Sequence, residues 1–265
     1  MIIQKEREDL EVFSFIFGAV FGSFLNVLIL RLPENKSVVL PRSACTSCGK
    51  TILWYHNIPL LSYLFLRGKC AYCSEKISLQ YFIVELISAI ITVGVFVKLG
   101  LTLQSLYLLI LFYTLITLSF IDFKYKAVPD YLLLIALIIS FLATSYDIVE
   151  AFRNAFIFAG AFVLLNFVLT FYVQNIKSKL TKDESLRTQE ALGEGDIPII
   201  ALIAVILGVK AGLIAIFLAA VFAIIPSIYS SFIKKDIQTP FIPYLLLGFT
   251  VEYFFSLENI LKVLY

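Results

Sequence analysis

Eight long apolar runs, separated by short polar or charged segments, organise this chain. They cover residues 11–30, 82–99, 104–122, 129–147, 151–174, 196–209, 211–232 and 241–259. Most approach the roughly 20 residues that an α-helix needs to cross a hydrocarbon core. The sixth run is short, and Gly208-Val209-Lys210-Ala211 separates it only weakly from the seventh, which leaves seven crossings as the alternative to eight. The pattern predicts an all-α polytopic membrane protein with about eight transmembrane helices.

Composition agrees with this pattern. Hydrophobic residues make up 60% of the chain, charged residues 15%, and the mean hydropathy is +0.95. Soluble domains are about 45–50% apolar and about 25% charged, so the bilayer is the expected solvent. No block of like charge is present, which argues against a nucleic-acid partner. The first apolar run is too long for a cleaved signal peptide, and no A-x-A-like cleavage site follows it.

The basic residues predict an orientation in the membrane. Alternate loops, at residues 31–81, 123–128, 175–195 and 233–240, carry 15 of the 21 Lys and Arg residues. Because positive charge accumulates on the cytoplasmic side, these four loops are predicted to be cytoplasmic and both termini to lie outside.

Two aspartates stand at the same predicted membrane edge. Asp196 ends the motif Gly193-Glu194-Gly195-Asp196 just before an apolar run, and Asp122 ends an earlier run. A carboxylate at a membrane boundary is costly to desolvate and usually has a partner or a task. The two acids are therefore predicted to share a site, with the glycines permitting close backbone approach. A third acid, Asp130 after Pro129, is interpreted as capping the fourth helix.

All four cysteines fall in the longest cytoplasmic loop, as two C-x-x-C pairs separated by 21 residues: Cys45, Cys48, Cys70 and Cys73. Two such pairs can each form a knuckle and together supply four thiolates to a structural zinc ion. Two disulfides or a redox pair is the alternative, which a cytoplasmic location disfavours. His56, between the pairs, is interpreted as a loop residue because four thiolates already complete the shell.

Together these segments resemble the type IV prepilin peptidases, bacterial enzymes that cleave and then N-methylate pilin-like precursors. The resemblance runs in order along nearly the whole chain. It comprises Gly22-Ser23-Phe24-Leu25-Asn26-Val27 with Arg31-Leu32-Pro33, both C-x-x-C pairs, Asn57-Ile58-Pro59-Leu60-Leu61-Ser62-Tyr63, Leu66-Arg67-Gly68-Lys69-Cys70, Ile77-Ser78 with Tyr81, Val84-Glu85-Leu86, Asp122 with Val128-Pro129-Asp130, the Gly193 to Asp196 motif, and Pro240-Phe241-Ile242-Pro243-Tyr244.

The resemblance implies specific roles. Asp122 and Asp196 would be the catalytic pair of an aspartic peptidase, and two carboxylates held close together share one proton. The substrates would be prepilins or pseudopilins, cut between a basic leader and an apolar helix. S-adenosylmethionine would be the methyl donor, with Gly68 and Lys69 as candidate binding residues. The implied domains are a first helix at residues 1–30, a cytoplasmic zinc domain at 31–81 and a transmembrane peptidase domain at 82–265. The resemblance to a bacterial family would also place the chain in the cytoplasmic (inner) membrane.

The chain departs from the family pattern at three positions. His56 stands where an acid is common, Thr46 replaces a proline of the first knuckle, and Pro198 replaces a lysine two residues after the G-x-G-D aspartate. Two alternative functions remain at this level. One is another G-x-G-D membrane protease of the presenilin or signal-peptide-peptidase kind, which would lack the zinc loop. The other is a proton-coupled transporter, for which broken helices and an internal repeat are expected and not found in the sequence.

Overall fold

Helices dominate the computed structural model, which describes residues 2–181, 184, 187, 193, 195–229 and 240–258. Within these residues the only β-type pairings are two isolated antiparallel bridges, Ala44 with Thr51 and Lys69 with Lys76. The predicted all-α class is confirmed. Glu194, residues 230–239 with Lys234 and Lys235, and residues 259–265 lie outside the described residues.

The helices follow the predicted apolar runs, with one short helix added between the first two runs and another after the fifth. Their bounds are α1 Ile2–Arg31, α2 Leu61–Phe65, α3 Leu79–Leu99, α4 Leu103–Tyr125, α5 Asp130–Ala143, α6 Ile148–Phe171, α7 Ser178–Thr181, α8 Asp196–Tyr229 and α9 Ile242–Phe255. A 3-10 turn covers Trp54–His56, and a π-helical segment, Tyr172–Lys177, joins α6 to α7.

Five helical stretches of the described residues are long and apolar enough to cross a membrane. They are Glu8–Arg31, Leu79–Leu99, Leu103–Tyr125, Ile148–Leu180 and Asp196–Ile228, while α5 and α9 are shorter apolar helices. Gly208 interrupts α8, because its φ of 77° and ψ of −179° are not helical. The break falls at the boundary expected between the sixth and seventh apolar runs. Within the described residues, each of the eight predicted segments is therefore mainly helical.

The chain divides into two compact units, Met1–Ile121 and Asp122–Tyr265. In the first unit α1 packs closely on α3. A Cβ added at Gly18 would lie 2.7 Å from the Ala89 Cα, and one added at Gly22 would lie 2.7 Å from the Glu85 Cα. Two glycines four residues apart thus let the helix backbones approach, as small residues do in membrane helix pairs.

In the second unit α8 packs against α5, α6 and α9. Its first half is almost entirely buried, with Ile200, Leu202 and Ile203 fully enclosed. The break at Gly208 leaves backbone carbonyls without helical partners, and side chains of the α5–α6 connection satisfy two of them. The Thr144 hydroxyl donates to the Val205 carbonyl at 2.7 Å, and the Tyr146 hydroxyl donates to the Leu207 carbonyl at 3.1 Å. Side-chain donors of this kind make a helix break tolerable in a membrane.

Candidate active site and metal centre

Asp122 lies in the last turn of α4 and is only 8% exposed. Its Oδ2 accepts a hydrogen bond from the Ile242 N–H at 3.2 Å, and the Phe241 N–H also bonds to the carboxyl group. Both donors belong to the start of α9, where the first N–H groups have no helical acceptor. The positive end of the helix dipole also faces this carboxylate and partly offsets the cost of burying its charge.

Asp196 is the first residue of α8 and is 7% exposed. The Gly193 N–H donates to its Oδ2 at 3.2 Å, and the Asp196 N–H donates to the Gly193 carbonyl at 3.1 Å. A tight turn therefore fixes the carboxylate at the helix entrance. The two carboxyl groups interact electrostatically across the site. Ile242, which bonds to Asp122, also lies beside Gly195, the residue before Asp196. The shared catalytic role of the two aspartates stays a prediction.

Gly195 shows why this turn requires a glycine. A Cβ added there would lie 2.8 Å from the Val128 Cγ2, closer than side chains tolerate. Gly193 is less constrained, since its added Cβ would lie 3.2 Å from the Asp196 Oδ2. The glycine motif therefore serves close packing between the α8 entrance and the α4–α5 connection. Pro198 lies in the first turn of α8, where the missing N–H of proline costs no helical hydrogen bond.

The role of α9 at this site was not foreseen from the sequence. Ile242 is 120 residues from Asp122 along the chain, and no local pattern links the two. Pro240 and Pro243 could have indicated this role. Prolines are common in the first turn of a helix, and the first N–H groups of a helix are free to bind a carboxylate. Asp130, by contrast, lies in the first turn of α5 with Pro129 as the N-cap residue, which fits the capping interpretation.

The four cysteines form one cluster, as predicted. The sulfur atoms of Cys45, Cys48, Cys70 and Cys73 all lie within 4.8 Å of one another. Each pair sits in the same kind of backbone turn. The Gly49 N–H donates to the Cys45 carbonyl at 2.9 Å, and the Ser74 N–H donates to the Cys70 carbonyl at 3.0 Å. Gly49 and Ser74, each just after its pair, both have positive φ, 69° and 59°. The two knuckles are therefore equivalent, and the cluster could hold a metal ion.

The charge state of this cluster favours a cation. The backbone N–H groups of Cys48 and Ser47 lower the pKa of Cys45 to about 6, so its sulfur is a thiolate at neutral pH. At Cys73 the backbone N–H of Glu75 favours the thiolate, but desolvation and the neighbouring thiol groups outweigh it and raise the pKa to about 12. Four thiols this close ionise together only when a bound cation neutralises them.

Neither His56 nor the Gly68–Lys69 pair belongs to the metal cluster. The His56 ring packs edge-on against Tyr55, with centroids 4.4 Å apart, which agrees with its interpretation as a loop residue. Gly68 has a φ of 64°, and a Cβ added there would lie 2.8 Å from the Tyr63 hydroxyl. A turn packed on Tyr63 therefore accounts for the glycine. Lys69 is exposed beside the third cysteine.

An all-helical membrane protein with paired buried carboxylates and a four-thiol cluster is the class that the fold and these sites define. Comparison with known proteins is more specific. Residues 16–99 match the bacterial peptidase A24 N-terminal domain, and residues 109–228 match the type IV leader peptidase family. The chain belongs to the type IV leader peptidase family.

Individual relatives carry the name prepilin leader peptidase/N-methyltransferase. The one from Vibrio cholerae serotype O1 is 31% identical over 248 residues, which is 90% of this chain and 94% of the relative. The Bacillus subtilis relative is 26% identical over 91% of this chain and 93% of its own length. The Myxococcus xanthus relative is 35% identical over 72% of this chain, and the match spans about half of that relative, 54%. No solved structure matches the chain.

Proposed function

We propose that this protein is a bifunctional membrane enzyme that cleaves the leader from type IV prepilins or pseudopilins and then N-methylates the new N-terminus. The observation that carries the proposal is the placement of two buried carboxyl groups around the start of α9: Ile242 donates its N–H to Asp122 at the end of α4, and its side chain lies beside Gly195, which precedes Asp196 at the start of α8. Family membership and the names of the relatives support both activities.

The cleavage chemistry follows from two carboxyl groups that share one proton. The ionised group takes a proton from water as the water attacks the peptide carbonyl, and the protonated group polarises that carbonyl and later helps to protonate the leaving amine. The N–H groups of Phe241 and Ile242 stabilise charge on Asp122 throughout. A hydrolysis of this kind needs no metal at the dyad.

The proposed substrate has a short basic leader and an apolar helix. A dyad at a membrane edge suits such a chain, because the helix can remain in lipid while the leader stays in water. The proposed orientation, with both termini outside and the dyad on the cytoplasmic side of the inner membrane, rests on the distribution of basic residues.

Zinc fits the cysteine cluster. Four sulfurs at about 2.3 Å from a tetrahedrally coordinated zinc ion lie about 3.8 Å from one another. The Cys45 and Cys73 sulfurs are 3.8 Å apart. Bound zinc would close the shell and stabilise the fold of the loop, leaving no coordination position for substrate. For methyl transfer we propose Lys69, whose exposed ammonium can hold the carboxylate of S-adenosylmethionine, and Gly68, which fixes the turn that presents it.

Cleavage of a defined precursor tests the proposal. The protein in nanodiscs is incubated with a prepilin that has a basic leader, with and without S-adenosylmethionine, and the product is analysed by mass spectrometry. We expect one cut immediately before the apolar helix, and one added methyl group only when the donor is present. A cut within the apolar helix would instead identify the other kind of G-x-G-D protease. An intact precursor would overturn the peptidase assignment.

A further inference from the structure

The segment that contains α2 is attached to α1 and α3, and its contact with α3 lies almost two turns after the start of that helix. The Leu60 N–H donates to the Glu85 Oε2 at 2.7 Å, and both residues are buried. The Leu60 side chain lies in one apolar cluster with Ala19 of α1 and Ala89 of α3. Tyr63 adds a ring contact to Phe82 of α3, with centroids 5.4 Å apart. Leu60 therefore packs against both α1 and α3, and Tyr63 packs against α3.

The depth of this attachment follows from helix geometry. With 21 residues, α3 is about 31 Å long, which matches a hydrocarbon core of about 30 Å. Its first residue, Leu79, therefore lies at one membrane face. Glu85 is six residues further along, so its Cα is about 9 Å inside that face, and its side chain tilts back toward the face. Helices that lie in a membrane interface are buried to about 5–10 Å. The bond from Leu60 to Glu85 thus holds the start of α2 at interfacial depth.

The outer face of α2 is apolar. Leu61, Leu64 and Phe65 occupy positions i, i+3 and i+4, and their exposed fractions are 51%, 59% and 83%. The opposite side of the segment, with Leu60 and Tyr63, packs on α3. Ser62, the polar residue of this helix, donates its hydroxyl to the Tyr55 carbonyl at 3.1 Å, so the outer face consists of exposed apolar side chains that are typical of contact with lipid. Leu60 is also held at a positive φ of 61°, so burial and the bond to Glu85 stabilise an uncommon backbone conformation.

A second surface, of mixed apolar and basic residues, lies next to the end of α1. Trp54 and Val39 are 76% and 77% exposed, and they line a cavity together with Val27 and Arg31 of α1. Tryptophan beside the end of a membrane-spanning helix is typical of the headgroup region of a bilayer. Charge agrees with this placement, because residues 32–78 contain six basic and two acidic residues and would be attracted to anionic lipid headgroups.

We propose that the cysteine-containing region is not a free loop domain but is partly inserted into the bilayer: α2 lies in one leaflet with Leu61, Leu64 and Phe65 facing lipid chains, and Trp54 lies at headgroup level. The partner of this surface is the lipid bilayer itself. A pilin helix is the competing occupant, but the depth of the Leu60–Glu85 bond already places the surface in lipid without any substrate. The inference is independent of the peptidase activity.

Fluorescence tests the inference directly, because Trp54 is the single tryptophan of the chain. The protein is placed in nanodiscs that contain anionic lipids brominated on the upper acyl chain, in the absence of precursor. Two further reporters are made in a Trp54→Phe background: Phe65→Trp on α2, and Thr46→Trp between the first two cysteines as the matched control. Bound zinc and circular dichroism verify that each variant is folded.

We expect the Phe65→Trp reporter to lose at least about half of its emission to bromine quenching and to emit at shorter wavelength, as for a side chain in the interface. The emission of Trp54 in the wild-type protein should be quenched as well, and this measurement needs no substitution. The Thr46→Trp reporter should be unaffected. Emission of the Phe65→Trp reporter typical of water, without quenching, would overturn the inference, whatever Trp54 shows. Quenching that develops only after a precursor is added would also overturn it, in favour of a substrate surface.

Discussion

At the scale of single residues, the dyad depends on contacts that leave no room for a side chain. Gly195 precedes Asp196 and faces Val128. A Cβ added at Gly195 would lie only 2.8 Å from the Val128 Cγ2. We expect Gly195→Ala to displace the α8 entrance and to lower stability by about 1–3 kcal/mol, the usual effect of overpacking. Precursor cleavage should fall with it. Thermal unfolding in detergent and a cleavage assay measure the two effects.

A second substitution separates this mechanism from a general loss of stability. Val128→Ala removes the methyl group that the new Cβ would meet, so the double variant should recover most of the stability and activity lost in Gly195→Ala. Such coupling is expected only between residues in contact. Equal effects of Gly195→Ala in both backgrounds would show that the contact with Val128 is not the reason for the glycine.

At the scale of elements, α1 and α3 are held together by close backbone approach. An alanine Cβ at Gly22 would lie 2.7 Å from the Glu85 Cα, and backbone cannot rotate away as a side chain can. We expect Gly22→Ala to lower the thermal midpoint of the protein. Gly160→Ala in α6 is the matched control, because an added Cβ there has no neighbour within 4 Å. Alanine favours a helix over glycine by roughly 1 kcal/mol, so the control should not be destabilised.

The elements also show what the sequence could and could not predict. The apolar runs predicted the helices because a helix needs about 20 apolar residues to cross a bilayer. The weak boundary between the sixth and seventh runs corresponds to a break in the helix at Gly208. Two features depended on partners distant in sequence. The Leu60–Glu85 bond joins residues 25 apart, and the Asp122–Ile242 bond joins residues 120 apart. No local periodicity reports such pairs, and the five residues of α2 are too few to show one.

At the scale of the whole molecule, the two candidate sites belong to different units. The cysteine cluster lies in Met1–Ile121, and both aspartates lie in Asp122–Tyr265. We expect Cys48→Ser to abolish stoichiometric zinc binding, because a tetrahedral site with three thiolates is incomplete. Methylation of the processed N-terminus should then fall further than cleavage. Metal analysis and mass spectrometry of the product measure both.

Ser47→Ala is the matched control for the metal site. It lies in the same knuckle and keeps the backbone N–H that bonds to the Cys45 sulfur. Zinc content and both activities should remain close to those of the wild type. If Cys48→Ser retained a full equivalent of zinc, the proposed four-thiolate site would be wrong.

The central claim is that Asp122 and Asp196 act as one catalytic pair, and precursor cleavage by asparagine variants tests it most directly. Asp122→Asn and Asp196→Asn keep the shape of the side chain but remove its ability to carry the shared proton, so each should lose about 10²–10⁴-fold in cleavage rate. Asp130→Asn, in the first turn of α5 and exposed, is the matched control and should retain activity. Membrane-inserted, folded Asp122→Asn or Asp196→Asn protein that cleaves at the wild-type rate would contradict the account.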